Sequence, residues 1–167
     1  RFVPVAAPIA GTIRGQALRA GTRVSAGQTV FTIFPLTDLP PGHDISIEAH
    51  QRSWAAAGDA KWEYEVDAEV AYTFKLRNAF NWGYPDIVGC GPNATTLHYD
   101  LSQGPVKSGE LLLMDVGAEY EHYTADITRT FPVNGRFSPE QAAIYQIVYD
   151  AQEAVAKASK PGATLSD

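Results

Sequence analysis

A chain of 167 residues, 45% hydrophobic and 19% charged, has the make-up of one ordinary globular domain or two small ones, which excludes a disordered chain. Its formal charge of −6 argues against nucleic acid or an acidic membrane as partner. No apolar run approaches the roughly 20 residues that cross a bilayer, and the single cysteine, Cys90, excludes an internal disulfide.

The start, Arg1-Phe2-Val3-Pro4, carries neither an initiator methionine nor the charged-then-apolar design of a signal peptide, so a cut N-terminus is expected. Residues 1–39 read as short strands broken by glycine. Val30, Thr32 and Phe34 alternate with Phe31 and Ile33, the period of two that marks a strand, and Gly21 and Gly27 sit where turns belong. The pattern Ala7-Pro8-x-x-Gly11-x-Ile13, then Gly21-x-x-Val24-x-x-Gly27-Gln28-x-Val30-Phe31, resembles the lipoyl- or biotinyl-like hairpin of periplasmic membrane-fusion adaptors. The carrier version of that hairpin needs a lysine, and none precedes Lys61, so cofactor attachment is not expected.

Asp38-Leu39-Pro40-Pro41-Gly42 is a turn-rich break and the expected domain boundary. Asp44 is positioned to cap a helix over Ile45–Ala57, with Gly58 as its stop. A second helix is expected over Glu63–Arg77, where Val66, Val70 and Phe74 share one face. Strand-like segments follow around 86–90, 110–117 and 123–131. In Ser138-Pro139-Glu140-Gln141 an N-cap serine, a first-turn proline and a capping-box glutamine open a last helix. Its apolar stripe is Ile144, Ile147, Val148, Ala151 and Val155, and Pro161-Gly162 ends it.

Two aspartates stand out. Leu111-Leu112-Leu113-Met114-Asp115-Val116 reads as a well-buried strand, and a lone carboxylate there must be protonated, paired or bound to a metal. Eleven residues on, Asp126 alternates with Thr124 and Thr128 on one strand face, opposite Tyr123, Ala125 and Ile127. A hairpin turning about Tyr120 and Glu121 pairs position 118 with 123, 117 with 124 and 115 with 126. The two carboxylates would then lie about 4.5–5.5 Å apart at Cβ. Such a pair needs a shared proton or a cation between them, and hard oxygen ligands suit Mn²⁺, Mg²⁺ or Zn²⁺. Spacing alone leaves a second reading open, in which a neighbouring cation such as Arg129 neutralises the pair.

The segments around these residues carry a family resemblance. Tyr84-Pro85-x-Ile87-Val88-Gly89-x-Gly91-x-Asn93-Ala94-Thr95-x-Leu97-His98-Tyr99, Asp115-x-Gly117-Ala118-x-Tyr120 and Ala125-Asp126-Ile127-Thr128-Arg129-Thr130-Phe131-Pro132 follow one another in order. With Gly135-x-Phe137-Ser138-x-x-Gln141-x-x-Ile144-Tyr145, they resemble aminopeptidase P and prolidase of the M24 pita-bread metallopeptidases. The Thr-Arg-Thr-Phe-Pro string favours the proline-directed members. The resemblance implies an α+β fold: residues 45–167 form an incomplete pita-bread domain, a curved antiparallel sheet with covering helices, preceded by the 1–39 β segment.

It further implies two divalent ions, Mn first with Zn or Co as substitutes, held by two aspartates, a histidine and two glutamates. Asp115 and Asp126 match the first two ligands, the second bridging both metals. His98 matches a histidine that positions substrate or moves a proton, and Tyr84 and Thr128 stand at the substrate pocket or behind the ligands. The implied substrates are peptides with proline second, cut before that proline by metal-activated water. A cytoplasmic location and a homodimer are compatible with it. Cys90 reads as a small buried residue. All four histidines precede Asp126 and no later segment matches the remaining ligand motifs. The expectation is therefore a chain with two of the five ligands, inactive by itself. Two alternatives stand beside this: a non-catalytic binding protein on the same fold, and a membrane-fusion adaptor segment.

Overall fold

A computed structural model describes residues 12–14, 32–34 and 41–164. The chain divides into two compact units, Pro40–Ile144 and a second made of Arg1–Leu39 with Tyr145–Asp167. In the second unit, strands β1 (Thr12–Arg14) and β2 (Thr32–Phe34) pair antiparallel, Ile13 opposite Ile33. The strand expected through Thr32 and Phe34 is present; the other expectations for residues 1–39 fall outside the described residues.

The first unit begins with helix α1, Pro41–Ala57. It starts four residues earlier than expected, because a proline fits the first turn of a helix, where its missing N–H is no loss. Asp44 therefore lies inside the first turn, where it favours the helix dipole, and does not cap. Helix α2, Glu63–Leu76, follows the expected span, with Val66, Val70 and Phe74 buried.

Two three-stranded antiparallel ladders come next. The first has the order β3 (Asn81–Trp82), β6 (Ala118–Tyr120), β7 (Tyr123–Thr124). The second has the order β4 (Ile87–Cys90), β5 (Leu111–Val116), β8 (Ile127–Pro132). A 3₁₀ turn, Gly91–Thr95, leaves β4. The result is a mixed α/β unit in which open antiparallel strands are flanked by helices, the arrangement of a partial pita-bread fold.

The core lies between the helices and the strands. Ile45 and Ala49 of α1, Val66, Val70 and Phe74 of α2, Val88 of β4 and Leu112, Met114 and Val116 of β5 form one buried cluster. Each large apolar side chain so buried contributes roughly 1.5–3 kcal/mol. A polar stitch joins α1 to β6: buried Ser46 donates from Oγ to Gly42 O at 2.7 Å and accepts from the Ala118 N–H at 2.9 Å. Ser46→Ala is expected to leave that N–H buried without an acceptor, at a cost of about 1–3 kcal/mol. A lower urea midpoint at unchanged slope would register it.

The strands correct three expectations. Leu111–Val116 is not buried on both faces: Leu112, Met114 and Val116 point to the core, whereas Leu113 and Asp115 are half-buried on the other side. An unbroken apolar run conceals this, because only the alternation of burial separates the faces. The single strand expected over 123–131 is divided between two ladders, β7 and β8. The hairpin register is also displaced. The pair Tyr120↔Tyr123 closes a two-residue turn at Glu121 and His122, both with positive φ, +50° and +68°. Such a turn matches the twist of the flanking strands. The ladder then sets Asp115 opposite Thr128 and Val116 opposite Ile127, not Asp115 opposite Asp126.

Helix α3, Pro139–Ala158, starts as its capping box specifies: Gln141 N–H donates to Ser138 Oγ and Ser138 N–H to Gln141 Oε1. Its apolar stripe is not buried, since Ile144, Ile147, Val148 and Val155 are each exposed. Among the described residues, no helix is long and apolar enough to cross a membrane.

Candidate metal centre

Asp115 and Asp126 occupy the same side of the strands despite the displaced register, because a shift of two residues preserves the face. Both line an open cavity of about 350 Å³, together with Tyr84, Pro85, Ile87, His98 and Asp100. The Tyr84 hydroxyl sits between the two carboxylates, 2.5 Å from Asp115 Oδ1 and 3.3 Å from Asp126 Oδ1. It has one proton to give, so the short bond to Asp115 takes it and the longer contact is secondary. Burial first, then the bond to Asp115 and the two negative charges, raise the Tyr84 pKa far above the ordinary phenol value. Tyr84 therefore stays protonated and serves the pair as a donor.

The competing reading of the two aspartates predicts a guanidinium between them. Arg129 instead turns its Nη1 to the Thr128 carbonyl at 2.7 Å, and among the described residues neither aspartate has an ion pair. Two carboxylates converging on a single hydroxyl, with no ion pair to either among the described residues, are a donor set that suits part of the shell of a hard divalent ion. They are only part of one: among the described residues, no group of three or more His, Cys, Asp and Glu side chains is arranged to hold a metal.

Backbone geometry brings the aspartates together. At Gly117 the chain passes from β5 to β6 so close to Ala125 that any Cβ would overlap the Ala125 carbonyl and crowd the Tyr84 ring. Gly117 O also accepts from the Gly83 N–H at 2.8 Å, which fixes the residue before Tyr84. On the helical side, buried His50 of α1 holds the strand beside Asp126, with Nε2 2.9 Å from Ile127 O. A carbonyl only accepts, so Nε2 carries the proton. Nδ1 is buried without a partner, and burial lowers the His50 pKa, so the ring is neutral.

The expected site residues divide accordingly. The cavity brings together Tyr84, His98, Asp115 and Asp126, while Thr128 stands opposite Asp115 but outside the lining. Sequence reasoning missed Asp100, which joins the cavity, and His50, which reads as one more residue on an amphipathic helix. It also missed a carboxyl pair behind the site. Asp67 of α2 and Asp86 are half-buried neighbours, each altering the other's titration, and Trp82 Nε1 donates to Asp86 Oδ2 at 2.6 Å. Burial raises both pKa values; with the charge of Asp67 added, Asp86 is pushed up to about 8.

A carboxyl whose folded value is raised contributes stability that is complete below the unfolded value near 3.8 and is lost as pH rises through about 8. Asp86→Asn is therefore expected to raise the melting temperature at about pH 9 and to change it little at about pH 3, where the carboxyl is protonated folded and unfolded alike. Equal shifts at both pH values would show that the folded unit does not hold a proton on Asp86.

Residues 42–167 match the family model described as Metallopeptidase family M24. A probable Xaa-Pro aminopeptidase of Phaeosphaeria nodorum is 44% identical over 118 residues, covering 71% of this chain and 26% of that protein. The Xaa-Pro aminopeptidase of Escherichia coli is 37% identical over 122 residues, 73% of this chain and 28% of the relative. Among solved structures, E. coli aminopeptidase P with the inhibitor Pro-Leu superposes with a TM-score of 0.66 at 38% identity, over 68% of this chain and 26% of that one. Proline aminopeptidase P II of Yersinia pestis gives 0.63 at 39% identity, with the same coverage. The chain spans about a quarter of the length of these relatives.

Proposed function

Because the chain belongs to metallopeptidase family M24, through a match over residues 42–167, we propose that it forms the first part of a two-metal centre that releases the N-terminal residue from peptides with proline second. The observation that carries the reading is the convergence of Asp115 and Asp126 on one cavity, with a protonated tyrosine between them and, among the described residues, no ion pair to either. The names of the relatives, Xaa-Pro aminopeptidases in both bacteria and fungi, support the substrate class. The start of the family match at residue 42 supports setting residues 1–39 apart from the peptidase domain.

Asp115 and Asp126 would hold the ions, and their hard oxygen donors favour Mn²⁺, with Zn²⁺ or Co²⁺ as substitutes. When bound, such ions polarise the scissile carbonyl and acidify water to make a nucleophile. The chain's own side chains do the rest. Tyr84 donates its proton to Asp115 and fixes the orientation of that carboxylate. His98, exposed at the cavity rim, is placed to hold the substrate or pass a proton at the cleaved bond.

The longest reading frame that contains this chain, supplied with Mn²⁺, should release the first residue of Xaa-Pro-Yaa peptides and leave Xaa-Ala-Yaa peptides intact. Absence of cleavage with Mn²⁺, Co²⁺ and Zn²⁺ alike would turn the assignment toward a binding protein that reuses the fold.

A further inference from the structure

Glu63 opens α2 and is 0% exposed, an expensive place for a carboxylate unless every lone pair is used. Both oxygens are used. Oε1 accepts from the Cys90 N–H at 2.7 Å and from Asn93 Nδ2 at 3.0 Å. Oε2 accepts from the Gly104 N–H at 2.6 Å and from the Tyr99 hydroxyl at 2.8 Å. The donors belong to the end of β4, to the 3₁₀ turn and to the loop after it, so one side chain ties three segments together. The Tyr99 oxygen extends the network, accepting from Asn93 Nδ2 at 3.0 Å and from the Gln103 N–H at 3.2 Å. A main-chain bond, Glu63 N–H to Gly104 O at 2.9 Å, closes the clamp from the other side. Gly104 is drawn in so far that a Cβ would overlap the Asn93 amide.

His98 lies between these anchors and has little to hold it by itself. Its side chain is exposed, the preceding Leu97 is 86% exposed, and its φ of +54° is left-handed. A non-glycine residue there costs about 1–2 kcal/mol, and such a conformation persists only when its surroundings enforce it. The surroundings that enforce it here are Asn93 before it and Tyr99 and Gly104 after it, all bound to Glu63.

We propose that Glu63 is a positioning residue for His98: its buried carboxylate gathers Asn93, Tyr99 and Gly104 and thereby fixes the left-handed turn that presents the imidazole to the cavity of Asp115 and Asp126. The proposal rests on the reading of that cavity as the peptidase centre. Only a carboxylate satisfies all four donors. A glutamine amide would set its own N–H₂ against two of them, and an aspartate would fall short by one methylene.

The test has two arms. In the 167-residue chain, Glu63→Gln is expected to shift the His98 ring resonances and to speed amide exchange over Thr96–Gly104 by about tenfold or more, while the core amides of α2 and β5 keep their protection. Unchanged His98 signals and loop protection would overturn the proposal, as would an equal loss of protection throughout the chain, which would make Glu63 a general fold-holder. If Glu63→Gln does not fold, Tyr99→Phe removes one donor from a partly exposed position and is read by the same criteria.

In the second arm, the longest reading frame carrying Glu63→Gln should lose about 10²-fold in kcat, the scale of a small misplacement, with a smaller change in KM. Adding His98→Ala should cost little more, because the two residues act as one unit. Additive losses would overturn the coupling. If the wild-type protein cleaves no Xaa-Pro peptide, the peptidase reading fails, and the exchange and resonance arm still decides the role of Glu63.

Discussion

In the longest reading frame that contains this chain, and on the function proposed above, replacing Asp126 by alanine is expected to lower Xaa-Pro cleavage by at least about 10³-fold, the scale seen when a group central to the chemistry is removed. The reason is charge. Asp115 and Asp126 are the two carboxylates of the cavity that converge on the Tyr84 hydroxyl, and a divalent ion held between them depends on both. Asp126→Asn is the sharper form of the test, because the amide keeps the shape and can still accept from Tyr84 while losing the charge. Asp126 is exposed, so neither variant should change folding stability by more than about 0.5 kcal/mol; relief of repulsion from Asp115 acts, if anything, in its favour. Thermal melts with and without Mn²⁺ separate the two effects. The wild type should gain stability with added ion and the variants should not. Full activity in Asp126→Ala would refute the assignment of Asp126 as a metal ligand.

Gly117→Ala is expected to be the most destabilising single-methyl change in the unit, about 3 kcal/mol, with a melting temperature lower by roughly 10 °C. The added carbon would have to share space with the carbonyl of Ala125, a backbone atom that cannot rotate away, and with the ring of Tyr84. Relief requires the β5–β6 passage to separate from the strand bearing Asp126. The same change should therefore weaken the Ala125 N–H to Ala118 O bond, 3.0 Å in the native unit, and part the two carboxylates. A variant that melts with the wild type would mean that the strands have slack at this point.

Much of this unit was legible in the sequence, and the reasons differ from element to element. Helix α2 was readable because Val66, Val70 and Phe74 recur at helical spacing, and the start of α3 because Ser138 and Gln141 form a reciprocal cap, a local device that needs no tertiary information. Motif order located Tyr84, His98, Asp115 and Asp126, and all four line one cavity. The register was not legible, since the turn depends on Glu121 and His122 adopting positive φ, for which neither residue type gives a signal. Glu63 was hidden for a different reason. An acid at the start of a helix is common for its effect on the helix dipole, and its four donors come from positions 90 to 104, a relation that no local pattern records. The Asp67 and Asp86 pair was invisible for the same reason.

The two-residue tip at Glu121 and His122 also restricts how this region can change length. A single residue added or deleted there, unless a longer tip or a bulge takes it up, would rotate the whole of Thr124, Asp126 and Thr128 to the far surface, stranding one acidic group away from its companion. A change of two would slide Asp126 along the strand but leave it on the same side. Length variants of this connection that keep an intact centre should thus come in even steps or carry the odd residue in a longer tip or a bulge, a parity rule that an alignment of related chains can be searched for directly.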